Sequence, residues 1–224
     1  MALAPLPPPP GGQAESRSRP ATLIVLIVAL GVLVVALLTA ALFVAQSRPP
    51  AAAHLRFGTV PGTDPGIGDT ASGGQGTPVD GIGCGPIEQT FSHEHAHLYI
   101  LDEGVVQPIA GGIGLPGAPA ATRCYYWLHT HDRTGVVHIE SPTGRAYTLG
   151  ELFDIWGQPL STARIARLSV RGRRLTYFVD GQEHRGNPRD ITLTGQTQVV
   201  IEIGRTVPPP RFDFSRYYTP GRIA

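Results

Sequence analysis

The sequence predicts a mainly β fold, an antiparallel sandwich or small barrel with one short helix, preceded by a single transmembrane helix. Three observations lead there. Residues 21–45 are an uncharged apolar run, residues 83–205 hold short stretches of alternating polarity between turn residues, and residues 148–157 carry one capped helical pattern with a single apolar face.

The apolar run ATLIVLIVALGVLVVALLTAALFVA contains only Thr22 and Thr39 as polar residues. A bilayer core needs about 20 apolar residues in a helix. The β-branched residues are no obstacle, because lipid leaves the backbone only its own hydrogen bonds. A cleaved signal peptide has a shorter apolar region that starts earlier. Arg17 and Arg19 precede the run, and Arg48 and Arg56 follow it. That balance sets no orientation by itself. The folded part and both cysteines lie after the run, so the expected topology has the N-terminus in the cytoplasm and the domain outside. The localisation expected is the cell membrane, single-pass, with the lipid bilayer contacted through residues 21–45.

The rest divides by composition. Residues 1–20 and 46–82 are rich in Pro, Gly, Ala and Ser and poor in large apolar side chains. Such segments bury too little surface to offset their ordering entropy. The expectation is a disordered cytoplasmic tail over 1–20, a linker over 46–82, a globular β domain over 83–205 and an extended tail over 206–224. Net charge is +1, and all 18 Lys and Arg residues are Arg. No basic stripe interleaved with aromatics marks a nucleic-acid partner.

Within the domain, residues 91–100 alternate as a strand, Asp102-Glu103-Gly104 turns, and 105–109 returns. Residues 111–119 form a Gly/Pro loop. Residues 124–131 and 136–140 read as a hairpin about the Asp132-Arg133-Thr134-Gly135 turn. Thr148 and Glu151 have capping-box spacing. Leu149, Leu152, Phe153 and Trp156 share one helical face, and Gly157 and Pro159 end it. Further strands are expected over 165–170, 174–179, 190–194 and 198–203. The two cysteines, Cys84 and Cys124, are expected to form one disulfide, since an exported domain favours that pairing and neither has metal-site spacing.

Chemistry concentrates in the histidines. His93, His95 and His97 lie in HEHAH, and His129, His131 and His138 lie in LHTHDRTGVVH. Alternate strand residues share a face. On 91–99 that face carries all three histidines, while Ala96, Leu98 and Ile100 take the other. With a four-residue loop at 132–135, His129 pairs with His138 and Leu128 with Ile139. Trp127, His129, His131, His138 and Glu140 then share a face opposite Leu128, Val137 and Ile139. A loop one residue different would move His138 to the other side.

Residues i and i+2 in a strand lie roughly 6.5–7 Å apart, cross-strand Cβ pairs about 4.5–5.5 Å apart, and an imidazole nitrogen sits about 2.0–2.1 Å from its metal. His129, His131 and His138 can therefore meet one ion. His93 and His97, roughly 13 Å apart, cannot share one, but two of that trio could complete the first site or begin a second. The donors suit copper or zinc. Met1 is the only methionine, which disfavours a thioether carrier of Cu(I). Asp132 and Glu140 are candidate carboxylate ligands or orienting partners. Glu94 has the opposite parity. His54 reads as a linker residue and His184 as a loop residue. The competing reading makes the histidines structural groups on a half-wet sheet face.

The strings HEHAHLYI, CYYWLHTHDRTGVVHIESP and YTLGELFDIWGQPL together resemble an uncharacterised family of bacterial and archaeal exported domains. These share an HxHxxL strand, a Cys before LHTHD, a GxxHxESP return strand and a TLGxxFxIWG helix. The resemblance covers about residues 84–160 and, more loosely, extends to Gly204. It implies one exported domain and no particular activity.

Three functions are consistent with these features. The first is a membrane-anchored extracytoplasmic domain that binds copper or zinc through clustered histidines, for holding, delivery or sensing. The second is a metalloenzyme with an open water position and Glu140 or Asp132 as general base. The third is an interaction module on a stalk, docking another envelope protein without metal.

Overall fold

The computed structural model describes residues 29–39, 56–57, 70–118 and 120–217. The expected tail over 1–20, the expected span apart from 29–39, most of the linker and residues 218–224 lie outside the described residues. The chain divides into two compact units, Met1–Pro49 and Pro50–Ala224.

In the first unit, residues 29–39 are helical (α1). Leu30, Val32, Leu33, Val34, Val35, Leu37 and Leu38 on it are all exposed. Among the described residues no helix is long and apolar enough to cross a membrane.

The second unit is mainly β. Its strands are β1 (Arg56–Phe57), β2 (Cys84–Gly85), β3 (Ser92–Asp102), β4 (Val105–Gln107), β5 (Tyr125–Tyr126), β6 (Leu128–His129) and β7 (Val136–Ser141). They continue as β8 (Tyr147–Thr148), β9 (Arg164–Ile165), β10 (Leu168–Ser169), β11 (Leu175–Val179), β12 (Gln182–His184), β13 (Thr192–Leu193) and β14 (Gln198–Ile203), with helix α2 (Leu149–Trp156) between β8 and β9. The main sheet runs β1-β4-β3-β14-β11-β12, with β7 added to β3 and β6 to β7. Three two-stranded sheets surround it, an arrangement in keeping with a sandwich.

The long strand β3 organises the sheet. One edge pairs with β7 over Ser92 to His97 and with β4 over Ile100 to Asp102. Its other edge pairs with β14 from His97 to Asp102, and this pairing is parallel. The expected all-antiparallel sheet is corrected here and at the parallel β1–β4 pair. Parallel neighbours need a long crossover, and the chain between β3 and β14, which includes α2, supplies it. Two strands expected to be continuous are broken. Residues 125–129 divide at Trp127, and 164–169 fold back as the β9–β10 hairpin, with Ala166 at φ 45°.

Helix α2 forms as its sequence dictates. The Thr148 hydroxyl accepts from the Glu151 amide at 3.2 Å, and the Glu151 carboxylate accepts from the Thr148 amide at 2.8 Å. Gly157 ends the helix in the left-handed region at φ 70°. Leu149, Leu152, Phe153 and Trp156 are fully buried, each contributing about 1.5–3 kcal/mol of apolar burial. They pack with Ala96, Leu98, Ile100, Leu128, Val137, Ile139, Val199 and Ile201 in one core.

The main sheet is covered on its other face as well. Tyr99, Leu101, Val106 and Val200 form a second cluster against Phe178, Val207 and Phe212. The segment after β14, expected as an extended tail, thus lies on the sheet. Gln198 holds it through the Phe212 amide at 2.8 Å and the Pro210 carbonyl, and the Glu202 carboxyl accepts from the Val207 amide at 3.2 Å. Residues 70–82, assigned to the linker by composition, also run along the domain. The Gly74 amide bonds the Ile155 carbonyl at 2.8 Å, the Tyr126 hydroxyl donates to the Thr77 carbonyl, and Ile82 is fully buried.

Candidate metal centre

Register brings the histidines together. Across β3 and β7, His95 faces His138 and His93 faces Glu140. Across β6 and β7, His129 faces His138 and Leu128 faces Ile139, the pairing that a four-residue loop predicts. The strand period then puts His93, His95, His129, His138 and Glu140 on the face away from the α2 core. His138 stands in the middle. Its ring centroid lies 4.5 Å from that of His95, 5.2 Å from His129 and 4.4 Å from His131. His93 and His95 are 5.0 Å apart by the same measure.

The donor atoms converge in three overlapping sets, His93–His95–His138, His129–His131–His138 and Glu88–His129–Glu140, each within 4.8 Å. The group can hold a metal ion. The His129 and His131 Nε2 atoms are 3.3 Å apart. A tetrahedral ion with bonds of about 2.0–2.1 Å places its ligands about 3.3 Å from each other, so this pair already has the separation of two ligands on one ion. The His129 Nδ1 lies 2.9 Å from the Tyr126 carbonyl oxygen. A carbonyl only accepts, so Nδ1 carries the proton and Nε2 presents its lone pair to the cluster.

Glu140 is the buried acid of the site, 3% exposed. Its Oε1 is 3.1 Å from His138 Nδ1 and 3.3 Å from His93 Nε2. Its Oε2 is buried with no hydrogen-bond partner among the described residues. A carboxylate withdrawn from water costs several kcal/mol unless a cation or donors compensate. Glu88 closes the outer side, with Oε1 3.3 Å from His131 Nε2 and 3.9 Å from His129 Nε2. Both Glu88 and His131 are 43% exposed, so the site opens to solvent there.

Three of the imidazoles, His95, His129 and His138, are kept neutral. Burial, reinforced by neighbouring histidines, lowers His129 and His138 to about 3 and His95 to about 4. Metal ligation needs the unprotonated ring, and the site supplies it without metal having to displace protons from these three.

Five of the six histidines expected as ligands are therefore gathered, together with Glu140. His97 is not among them. It ends the β3–β7 pairing opposite Val136. Its ring stacks on Phe212 at 3.9 Å, and its Nε2 lies 2.9 Å from the Thr134 carbonyl. Burial lowers it to about 4, and it serves as a seam between the histidine face and the second apolar cluster. Asp132 is also outside the donor sets. Its Oδ1 accepts from the Thr134 amide at 2.9 Å and from the Thr134 hydroxyl, which shapes the hairpin turn. Glu88 is the ligand candidate that strand parity misses, because it lies in an irregular stretch. The Cys84–Cys124 disulfide, with Cα atoms 5.5 Å apart, and the pairing of Cys84 with Tyr126 deliver it. The one signal for it in the sequence is its position four residues after Cys84.

Comparison of the chain with protein-family models, with curated proteins and with solved structures gave no match.

Proposed function

We propose that this chain is a membrane-anchored extracytoplasmic domain that binds copper or zinc through its clustered histidines, in order to hold, deliver or sense the ion. The observation that carries this is the 3.3 Å separation of the His129 and His131 Nε2 atoms, with the His129 tautomer set to leave its lone pair inward. Imidazole and carboxylate donors suit Zn(II) and Cu(II). Both cysteines are engaged in the disulfide, which removes thiolate ligands and fits an oxidising compartment. The solvent-facing side at His131 and Glu88 suits loading and release. The anchor rests on the apolar run at 21–45 and on the exposed apolar side chains of α1.

The test is metal content by mass spectrometry of the full-length protein in detergent, loaded with Zn(II) or Cu(II) and freed of excess. The wild type is expected to retain metal, and His129→Ala/His131→Ala to lose at least one equivalent of it. A wild type that retains none after loading overturns the reading. Protease added to intact cells is expected to cut the C-terminal domain, and a domain protected from it would overturn the topology.

A further inference from the structure

We propose that the histidine cluster is a two-ion centre bridged by Glu140, an inference that rests on the metal-binding reading above. The donors are too many and too widely spread for one ion. They come from three adjacent strands, β3, β7 and β6, and from the loop that carries Glu88. Strand neighbours lie about 4.8 Å apart, so the backbones of β3 and β6 lie roughly 10 Å apart, and among the described residues no convergent donor set joins a β3 histidine to His129 or His131.

Two of the donor sets share no residue. His93, His95 and His138 make one, and Glu88, His129 and Glu140 make the other. His131 completes the second, with its Nε2 3.3 Å from both His129 Nε2 and Glu88 Oε1. Glu140 stands between them and offers each a different oxygen. Its Oε1 lies 3.1–3.3 Å from His138 Nδ1 and His93 Nε2, while its Oε2 is 4.0 Å from His129 Nε2. That second oxygen is buried and has no hydrogen-bond partner among the described residues. A carboxylate used this way holds two ions about 3.5–4 Å apart, the spacing of two-metal sites. Two carboxylates, Glu88 and Glu140, also offset part of the charge of two divalent ions, which neutral imidazoles cannot do. The ligand class is thus a pair of divalent transition-metal ions, one on β3 and β7 and the other at His129, His131 and Glu88.

The experiment is a Zn(II) titration of the metal-free full-length protein in detergent, read as bound equivalents by mass spectrometry. It is repeated with Cu(II) and read by electron paramagnetic resonance. The wild type is expected to bind two equivalents and to give a spin-coupled Cu(II) spectrum. His93→Ala/His95→Ala and His129→Ala/His131→Ala should each bind one, with an isolated Cu(II) spectrum. Glu140→Gln should weaken the second equivalent by about tenfold or more. Tryptophan fluorescence of each variant checks that it is folded, and the two half-site variants control for each other. One equivalent in the wild type, unchanged by His93→Ala/His95→Ala or abolished by either double variant, overturns the two-ion centre and leaves metal binding standing. No metal in the wild type overturns both.

Discussion

Acidifying the metal-free protein is expected to destabilise the β domain steeply, and the size of the effect follows from its buried titratable groups. His95 and His97 are held near 4, and His129 and His138 near 3, by burial above all. In the unfolded chain each titrates near 6.5. A histidine whose folded value is depressed contributes stability that is present above the unfolded value and lost as pH falls towards the folded one, because below 6.5 the unfolded chain binds the extra proton. At about pH 5 each such group removes about 2 kcal/mol. Glu202 acts in the opposite direction. Burial pushes it up to about 7, so its contribution grows as pH falls from 7 towards the usual carboxylate range. Between about pH 7.5 and pH 5 it returns about 2 kcal/mol. Four histidines against one glutamate leave a net loss of about 6 kcal/mol as a ceiling, since His95 and His129 are each lowered partly by His138. That is comparable with the whole stability of a typical domain. The assay is urea denaturation of the full-length protein in detergent, with and without bound Zn(II). Trp127 and Trp156 are its only tryptophans, and both lie in the β domain, so their fluorescence reports that domain alone. The metal-free midpoint should fall sharply between the two pH values, and Glu202→Gln should deepen the fall. Bound metal should delay it, because ligand rings must then lose their ion before they protonate. A metal-free midpoint that stayed flat would refute the neutral, buried histidine face.

Two further perturbations probe the frame that positions the site. Gly135 has φ 90° in the hairpin turn, and a Cβ there would fall on the Leu98 carbonyl oxygen. Gly135→Ala should cost about 2 kcal/mol or more and weaken metal binding by disturbing the register that brings His138 opposite His129. Thermal melting and a Zn(II) titration check both effects. The Cys84–Cys124 bridge closes a span of 40 residues, for which loop entropy gives about 4 kcal/mol. Cys84→Ser/Cys124→Ser, or reduction, should lower the urea midpoint accordingly and release Glu88 from the open side of the site. A midpoint unchanged within error would show that other contacts fix that segment.

Local rules carried much of this protein. The capping box at Thr148 and Glu151 and the stop at Gly157 are chemistry within one helical turn, so α2 was legible residue by residue. The hairpin register that joins His129 to His138 follows from a four-residue turn and a side-chain period of two, both local quantities. The disulfide followed from there being two cysteines in a domain expected outside the cytoplasm.

Non-local pairing decided the rest. Only the tertiary fold sets β7 against the first half of β3 and so joins His93 and His95 to the hairpin, because no local pattern encodes which strands become neighbours. The parallel β3–β14 pair arises the same way, across a crossover longer than any sequence window. His97 has the parity of a ligand, yet the returning C-terminal segment lays Phe212 over it and takes it out of the site. Glu88 has no periodicity to declare it and reaches the histidines because the disulfide and the β2–β5 pairing fold its loop back. Which face a residue occupies was therefore determined by the sequence, through backbone periodicity, while which residues meet there was decided by long-range packing, whose driving force depends on total buried area and not on any one stretch of chain.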